Sequence, residues 1–193
     1  MGIYYDNYSY LTASRNPVSK KRIKESHELM ENYYNLTTHP DQKHFLNEES
    51  EKYLAELNPA LAEVVRRAVA ISDIELQVIH GKRSGTQQQE FYRKGVTQSG
   101  TSPHLYGAAV DIVPIVEGRI CFEVETFDEV AMSMKYAAQD LNTPIRWGGA
   151  WHCQNLAAYE GMIEDLQSWY IEQCVENGTR ICLDLPHFEL SVE

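Results

Sequence analysis

The sequence of 193 residues contains no run of about 18 apolar residues, so stable insertion into a membrane is not expected. Its start, Met1 to Asp6, has neither the charged nor the apolar region of a signal peptide. We therefore expect synthesis in the cytoplasm and, for any action outside it, release by another route. Basic residues are scarce: 17 Lys and Arg stand against 28 Asp and Glu, a formal net charge of −11. A nucleic-acid partner favours the opposite sign, so the composition argues against one.

Cysteines are few, and their spacing fits no paired zinc-binding motif. In a reducing cytosol we expect all four to be free thiols. Cys174 and Cys182 flank Asn177-Gly178, a turn signal, so a disulfide between those two cysteines stays open as an alternative. The composition is otherwise that of a globular protein, since 43% of the residues are apolar and 10% are aromatic, more than a disordered chain contains.

The sequence pattern divides the chain into an extension and a domain. Residues 1–48 are predicted to form an N-terminal extension that is partly helical, and residues 49–193 a single domain. The apolar face of the extension's helix comprises Ile23, His27, Met30 and Tyr34. The extension is expected either to serve as an attachment element or to brace the domain.

Within the domain, short helices and strands follow one another without a repeating strand-helix-strand rhythm. The pattern predicts a helix from Pro59 to Ile71 capped by Asn58, a strand from Glu75 to Ile79, a helix opened by a Thr86/Gln89 capping box, a strand from Ala109 to Ile115, a helix opened by a Thr126/Glu129 capping box, a turn from Arg146 to Trp151, a helix from Asn155 to Val175 and a strand from Arg180 to Leu183. This order predicts an α+β fold, a small antiparallel sheet flanked by helices.

The segment from Ser102 to Asp111 contains two candidate metal ligands, His104 and Asp111 itself. Gly107 lies between them and permits a turn that folds both side chains toward one point. The neighbours of Asp111 are apolar. A carboxylate in such surroundings is costly to bury alone, and a divalent cation removes that cost.

The segment from Asp184 to Glu189 contains a third candidate ligand, His187. Together with His104 and Asp111 it completes a set of two imidazoles and one carboxylate, which suits zinc with water in the fourth position. Asp184 is the candidate proton acceptor for that water. Glu189 shares a face of the extended segment with His187 and is a candidate acceptor for the second ring nitrogen of a ligand histidine.

Each histidine alone says little, because a single histidine in a loop is usually a surface or hydrogen-bonded residue. His80 ends a predicted strand near Arg83, and we expect it to form a structural hydrogen bond or to line the site. Only the joint pattern of the two segments supports a metal centre.

That joint pattern resembles the zinc peptidases of the D-Ala-D-Ala carboxypeptidase superfamily, and within it the phage endolysins that are L-alanyl-D-glutamate peptidases. The family motif Ser-x-His-x-x-Gly-x-Ala-x-Asp is matched by Ser102, His104, Gly107, Ala109 and Asp111, and the motif Asp/Glu-x-x-His by Asp184 and His187. Weaker matches are Gly81-Lys82-Arg83 followed by Gln87 and Gln88, and Trp147-Gly148-Gly149-x-Trp151. The likeness extends in order from about residue 50 to residue 190.

By this resemblance, His104, Asp111 and His187 bind zinc and Asp184 is the general base. Arg83 then holds a substrate carboxylate or polarises the scissile carbonyl, tasks that suit a planar guanidinium. Substrate-binding or supporting roles are expected for Ser102, Gln88, Trp147, Trp151 and Glu189. The resemblance also implies a zinc-peptidase fold like that of the hedgehog and D,D-peptidase domains.

The resemblance implies a zinc endolysin, expected to be a monomer, that cleaves the amide between L-Ala and D-Glu in the peptide stem of peptidoglycan. Two alternatives stay open: a D,D-carboxypeptidase or dipeptidase that releases D-Ala, and a murein-binding virion component without catalysis. The sequence departs from the family at Ala150, where relatives often carry Asp, and in the longer span from Trp151 to Asp184.

Overall fold

The structure of the protein, a computed structural model, describes residues 43–95, 97 and 99–191. The helix predicted around Ile23 to Tyr34 lies outside these residues, and the division of the chain near residue 48 stays a prediction. From its first described residue the chain contacts the domain, because the backbone N–H of Lys43 donates to the carbonyl of Ala70.

The described part of the chain contains five α-helices, two short 3-10 turns and five strands, joined by loops. The helices are α1 (Glu48–Leu54), α2 (Pro59–Ile71), α3 (Gly85–Arg93), α4 (Val124–Asp140) and α5 (Ile163–Glu176), and the 3-10 turns are Pro103–Tyr106 and Leu156–Ala158. The strands are β1 (Glu75–His80), β2 (Ala109–Val116), β3 (Arg119–Ile120), β4 (Ile145–Trp147) and β5 (His187–Leu190). The strands form one antiparallel sheet in the order β1-β2-β5-β4, and β3 pairs with β2. The predicted α+β class with a small antiparallel sheet is therefore confirmed.

The register of the sheet brings polar side chains into two rows on one face. In the first row, Asp111 at the centre of the sheet lies opposite both His80 on β1 and His187 on β5. In the second row, Glu189 on β5 lies between Ala109 on β2 and Arg146 on β4. Directly opposed residues of an antiparallel pair point to the same side, so both rows share one face.

The opposite face of the sheet is apolar and is covered by helices. Val110 and Ile112 flank Asp111 on β2, point to the opposite side of the sheet and are fully buried. Helices α2 and α4 pack together, and α4 packs on β2 with Phe127 and Met134 fully buried. Each such side chain contributes roughly 1.5–3 kcal/mol by leaving water, so this core fixes the sheet on which the polar face is built.

Several predicted elements are confirmed. Helix α2 begins at Pro59, with the Asn58 side chain accepting from the N–H of Ala60, and ends at Ile71. The strands predicted for residues 75–79 and 109–115 correspond to β1 and β2. All four cysteines are free thiols, which removes the alternative of a Cys174–Cys182 disulfide.

The strand predicted for residues 180–183 is wrong. These residues have no regular secondary structure, and β5 begins only at His187. The hydroxyl of Tyr170 on α5 donates to the carbonyl of Cys182 and accepts from the N–H of the same residue. The backbone of Cys182 is therefore hydrogen-bonded to a helix side chain, whereas a strand would be hydrogen-bonded to a neighbouring strand.

The predictions for three helix starts are also wrong. Helix α5 begins at Ile163, because the chain turns at Gly161, where a Cβ would lie 2.3 Å from the hydroxyl of Tyr159. The capping box of α3 is Ser84/Gln87, two residues before the predicted pair. Helix α4 begins at Val124 without a side-chain cap. The predicted turn from residue 146 begins inside β4, a strand too short for alternation to reveal.

Within the described ranges, no helix combines the length and the apolarity that crossing a membrane requires.

Candidate active site

Three side chains from the two sequence motifs converge on one point at the polar face of the sheet. His104 Nε2, Asp111 Oδ1 and His187 Nδ1 lie 3.2 Å from one another, and all three residues are buried. A tetrahedral ion with ligands at about 2.0 Å separates its ligand atoms by about 3.3 Å, so this triangle matches one face of such a site. The group can therefore hold a metal ion.

The position of His104 depends on a short turn that the sequence specifies locally. The hydroxyl of Ser102 caps the 3-10 turn by accepting from the N–H of His104. Gly107 ends the turn at φ 67°, a left-handed conformation that favours glycine. A Cβ at Gly107 would also lie 2.7 Å from the carbonyl of Glu56, so a larger residue would displace the turn from the body of the domain. Ser102 and Gly107 thus determine where His104 points.

His187 is positioned by a close backbone contact between the two C-terminal motifs. The N–H of Gly148 donates to the carbonyl of His187, and the carbonyl of Gly148 accepts from the N–H of Asp184. A Cβ at Gly148 would lie 2.2 Å from the carbonyl oxygen of Asp184, so only glycine permits this approach. Trp147 is fully buried, and its indole N–H donates to the carbonyl of Leu185. Trp147 therefore supports the turn that presents Asp184 and does not face solvent.

Outer hydrogen bonds aim the lone pairs of both histidines at the common point. His104 Nδ1 lies 2.7 Å from the carbonyl oxygen of Gly81, which can only accept, so this nitrogen carries the proton. His187 Nε2 lies 3.1 Å from Glu189 Oε2, so the ligand histidine that Glu189 contacts is His187. When both imidazoles are neutral, two lone pairs and a carboxylate oxygen face each other, and such a donor set needs a cation or a proton between its members.

The second carboxylate oxygen of Asp111 contacts two side chains, His80 at the end of β1 and Arg83 just after it. Arg83 Nη2 donates to Asp111 Oδ2 over 2.9 Å, and His80 Nδ1 lies 3.2 Å from the same oxygen. Burial raises the pKa of Asp111, but the hydrogen bonds from His104, His187 and His80 outweigh it and hold this pKa well below the usual range. Arg83 thus contacts the candidate metal ligand itself, a contact that the sequence did not predict.

The surroundings of the site also shift the pKa values of His187 and Asp184. Burial lowers the pKa of His187, but its hydrogen bonds to Asp111 and Glu189 outweigh burial and raise this pKa to about 9. In the absence of metal, His187 therefore holds a proton at neutral pH. Burial and the negative charge of Asp111 raise the pKa of Asp184. Asp184 is thereby a better proton acceptor than an ordinary surface aspartate.

Two residues of the β4 side complete the surroundings of His187. Arg146 Nη1 donates to Glu189 Oε1 over 2.8 Å, and Arg146 Nη2 donates to the carbonyl of Trp151 over 3.1 Å. The Trp151 ring lies 5.4 Å from the ring of His187. The sequence indicated a role for Trp151 but did not predict the contacts of Arg146 with Glu189 and Trp151, although Arg146 lies one residue before the tryptophan-glycine motif.

Gln88, a candidate substrate-binding residue, has a structural contact in the loop before Ser102. Its side chain is fully buried, and its amide nitrogen donates to the carbonyl of Ser99 over 2.9 Å. This bond ties α3 to the loop that leads into Ser102. Gln88 therefore braces the approach to the His104 turn.

Comparisons with known proteins agree with this geometry. A sequence model of the family described as phage L-alanyl-D-glutamate peptidase matches residues 43–190. The L-alanyl-D-glutamate peptidase of Escherichia phage T5 is 30% identical over 107 residues, which cover 53% of this chain and 78% of the phage protein. The crystal structure of the L-Ala D-Glu endopeptidase ChiX of Serratia marcescens has a TM-score of 0.56 and 26% identity, and the match covers 78% of this chain and 93% of that one. The chain therefore belongs to the phage L-alanyl-D-glutamate peptidase family.

Proposed function

We propose that the chain is a zinc-dependent peptidoglycan endopeptidase that hydrolyses the amide between L-Ala and D-Glu in the murein peptide stem. The observation that carries this proposal is the triangle of His104 Nε2, Asp111 Oδ1 and His187 Nδ1, in a chain whose family is named for that cleavage. Asp184 lies on the turn directly before His187 and supplies the carboxylate that the chemistry needs.

Zinc fits this donor set better than the harder divalent ions. Two imidazole nitrogens and one carboxylate oxygen are typical of a catalytic zinc site, whereas magnesium and calcium favour oxygen ligands alone. Bound zinc would lower the pKa of a water in its open position and would polarise the carbonyl of the substrate.

The residues around the metal ligands have separate roles in binding the substrate and moving protons. Asp184, with its raised pKa, accepts a proton from the attacking water and returns it to the departing amine. Arg83 has only one Nη nitrogen on Asp111, so its fork keeps donors for a substrate carboxylate or for the scissile carbonyl. Glu189 keeps the Nδ1 lone pair of His187 available to the metal.

The substrate also defines where the protein acts. We propose that it waits in the cytoplasm of an infected cell as a monomer and reaches the stem peptides of the host cell wall at lysis, as a phage endolysin. The relative from phage T5 supports this proposal, because it is a phage protein named for the same cleavage.

Digestion of purified peptidoglycan tests the bond that is cleaved. Mass spectrometry of the products should identify new amino termini at D-Glu. Released D-Ala without new D-Glu amino termini would indicate a D,D-carboxypeptidase or dipeptidase. Binding to murein without any new terminus, from a protein shown to contain zinc, would indicate a non-catalytic virion component.

A further inference from the structure

Arg146 connects two side chains that both contact the outer side of His187. It lies opposite Glu189 in the β4–β5 pair, on the polar face of the sheet. One Nη nitrogen donates to Glu189 Oε1 over 2.8 Å, and the other donates to the carbonyl of Trp151 over 3.1 Å. The Arg146 guanidinium carbon also lies 5.5 Å from the centre of the Trp151 ring. One guanidinium therefore fixes a carboxylate and an indole at the same time.

Both of these partners act directly on His187. Glu189 divides its oxygens, with Oε1 on Arg146 and Oε2 3.1 Å from His187 Nε2. The Trp151 ring packs 5.4 Å from the imidazole of His187. The hydrogen bond determines which nitrogen of His187 keeps its lone pair, and the indole limits rotation of the ring. Orientation of the Nδ1 lone pair thus depends on two side chains that Arg146 holds.

We propose that Arg146 is a positioning residue of the metal site, which acts through Glu189 and Trp151 to keep His187 Nδ1 directed at the ion. The inference rests on the proposed function, because it assumes that His104, Asp111 and His187 bind zinc. A buried carboxylate such as Glu189 is stable beside His187 only while its second oxygen has a charged partner. Without Arg146 the carboxylate can turn away, and His187 loses its fixed orientation.

The geometry also requires an arginine in particular. A guanidinium presents two nitrogens in a plane and can reach Glu189 and the Trp151 carbonyl together. A lysine at this position supplies a single ammonium, which can keep the bond to Glu189 but cannot cover the indole in the same way. Arg146→Lys should therefore retain part of the effect, and Arg146→Met should lose it.

The test compares zinc affinity among folded variants, measured by competition with a chromophoric chelator. Partners that orient a metal ligand typically change metal affinity by 10–100-fold. Because Arg146 acts one step farther out, we expect Arg146→Met to weaken zinc binding by about tenfold and Arg146→Lys by about threefold. The visible absorption of the cobalt-substituted protein should change in the Met variant, since that band reports ligand geometry.

Arg67→Met is the matched control. Arg67 has a similar exposure to Arg146 and forms an ion pair with Asp140, away from the site. Its replacement should lower the melting temperature of the metal-free protein about as much as Arg146→Met, while zinc affinity and the cobalt spectrum stay those of the wild type. A zinc affinity that falls equally in both variants would assign the effect to general stability and would overturn the proposal.

A double variant covers the case in which Arg146→Met does not fold. Arg146→Lys in a Trp151→Leu background should add little to the loss caused by Trp151→Leu, because the lysine keeps the bond to Glu189 and loses only the part of the effect that acts through the indole. Fully additive losses, or wild-type affinity in Arg146→Lys and Arg146→Met alike, would contradict the proposal.

The wild-type protein separates this inference from the proposed function. Wild type that binds zinc but leaves the L-Ala–D-Glu amide intact contradicts the proposed substrate and leaves the affinity comparison decisive for Arg146. Wild type that binds no zinc overturns both.

Discussion

Two buried basic side chains, His187 in the candidate active site and Lys135 on α4, are affected by burial in the same way but end with opposite pKa shifts. The pKa of His187 rises to about 9, because hydrogen bonds to Asp111 and Glu189 outweigh the cost of burial. The pKa of Lys135 falls to about 8, because burial dominates and the attraction of Cys153 and Glu160 is too weak to offset it. The difference lies in the partners of each group.

The partners of Lys135 are dipoles and aromatic rings. Its ammonium donates to the carbonyl of Gly161 over 2.8 Å and lies 5.3 Å from the centre of the Tyr159 ring. Among the described residues no carboxylate hydrogen-bonds to it. Lys135 therefore ties α4 to the loop before α5, a structural task, whereas the anions around His187 form a site that can exchange a proton for a metal ion. Buried charge indicates function here only where opposite charges surround it.

The largest expected effect is the loss of the Asp184 carboxylate. Asp184→Asn should lower kcat for stem-peptide hydrolysis by about 10²–10⁴-fold, because general acid–base catalysis contributes that much. Zinc content should stay at the wild-type level, since Asp184 is not among the converging ligands. The measurement is the rate on a synthetic stem peptide together with metal analysis.

Glu160→Gln, a carboxylate-to-amide change near Lys135, is the control for Asp184→Asn. Glu160 is the carboxylate that acts electrostatically on Lys135, so its replacement should leave the rate unchanged. Equal rates for Asp184→Asn and wild type would remove Asp184 from the mechanism.

The second effect is the dependence of zinc binding on pH. His187 has a raised pKa, so its proton stabilises the metal-free protein below pH 6.5, and this contribution is lost as the pH rises through about 9. The proton competes with the metal for Nδ1. The apparent zinc affinity should therefore rise about tenfold per pH unit from this group between pH 6.5 and 9.

Calorimetric titrations in buffers of different ionisation enthalpy measure this proton release. Binding at pH 7 should release at least one proton per zinc ion. No proton release at pH 7 would show that His187 is already neutral in the metal-free protein.

The smallest effect concerns Lys135. Its lowered pKa means that its charge destabilises the folded protein below about pH 8, and this cost disappears as the pH rises from about 8 to 10.5, where the unfolded chain also loses its proton. Lys135→Met removes the charge but also leaves the Gly161 carbonyl without its donor. At pH 7 we expect a net gain of about 1–2 kcal/mol in the free energy of unfolding.

Urea unfolding at pH 7 and at pH 10 measures this difference. The advantage of Lys135→Met over wild type should shrink at the higher pH. A constant difference at the two pH values would mean that Lys135 titrates normally in the folded protein.

Sequence patterns predicted the site better where its residues are close in the chain. The turn that contains His104 and Asp111 follows from Gly107 and from the apolar residues around Asp111. The meeting of Asp111 with His187 depends on the β2–β5 register, which no local pattern specifies, and the resemblance to a known family supplied it.

The same limit explains what was missed. Arg146 reaches Glu189 across a pair of strands, and β4 is only three residues long. The contact of Arg83 with Asp111 likewise depends on how α3 and β1 lie beside β2. The strand predicted for residues 180–183 was wrong because Tyr170, 12 residues earlier on α5, takes up the hydrogen bonds of Cys182.

The most direct test of the account is removal and return of zinc in the wild-type protein, with zinc per chain and the rate of L-Ala–D-Glu cleavage measured on the same samples. Chelation should abolish cleavage and lower the melting temperature, because ligands from both halves of the domain lose their common ion. One equivalent of zinc per chain should restore both. Undiminished cleavage by protein verified to be free of metal would contradict the assignment of His104, Asp111 and His187 as a catalytic zinc site.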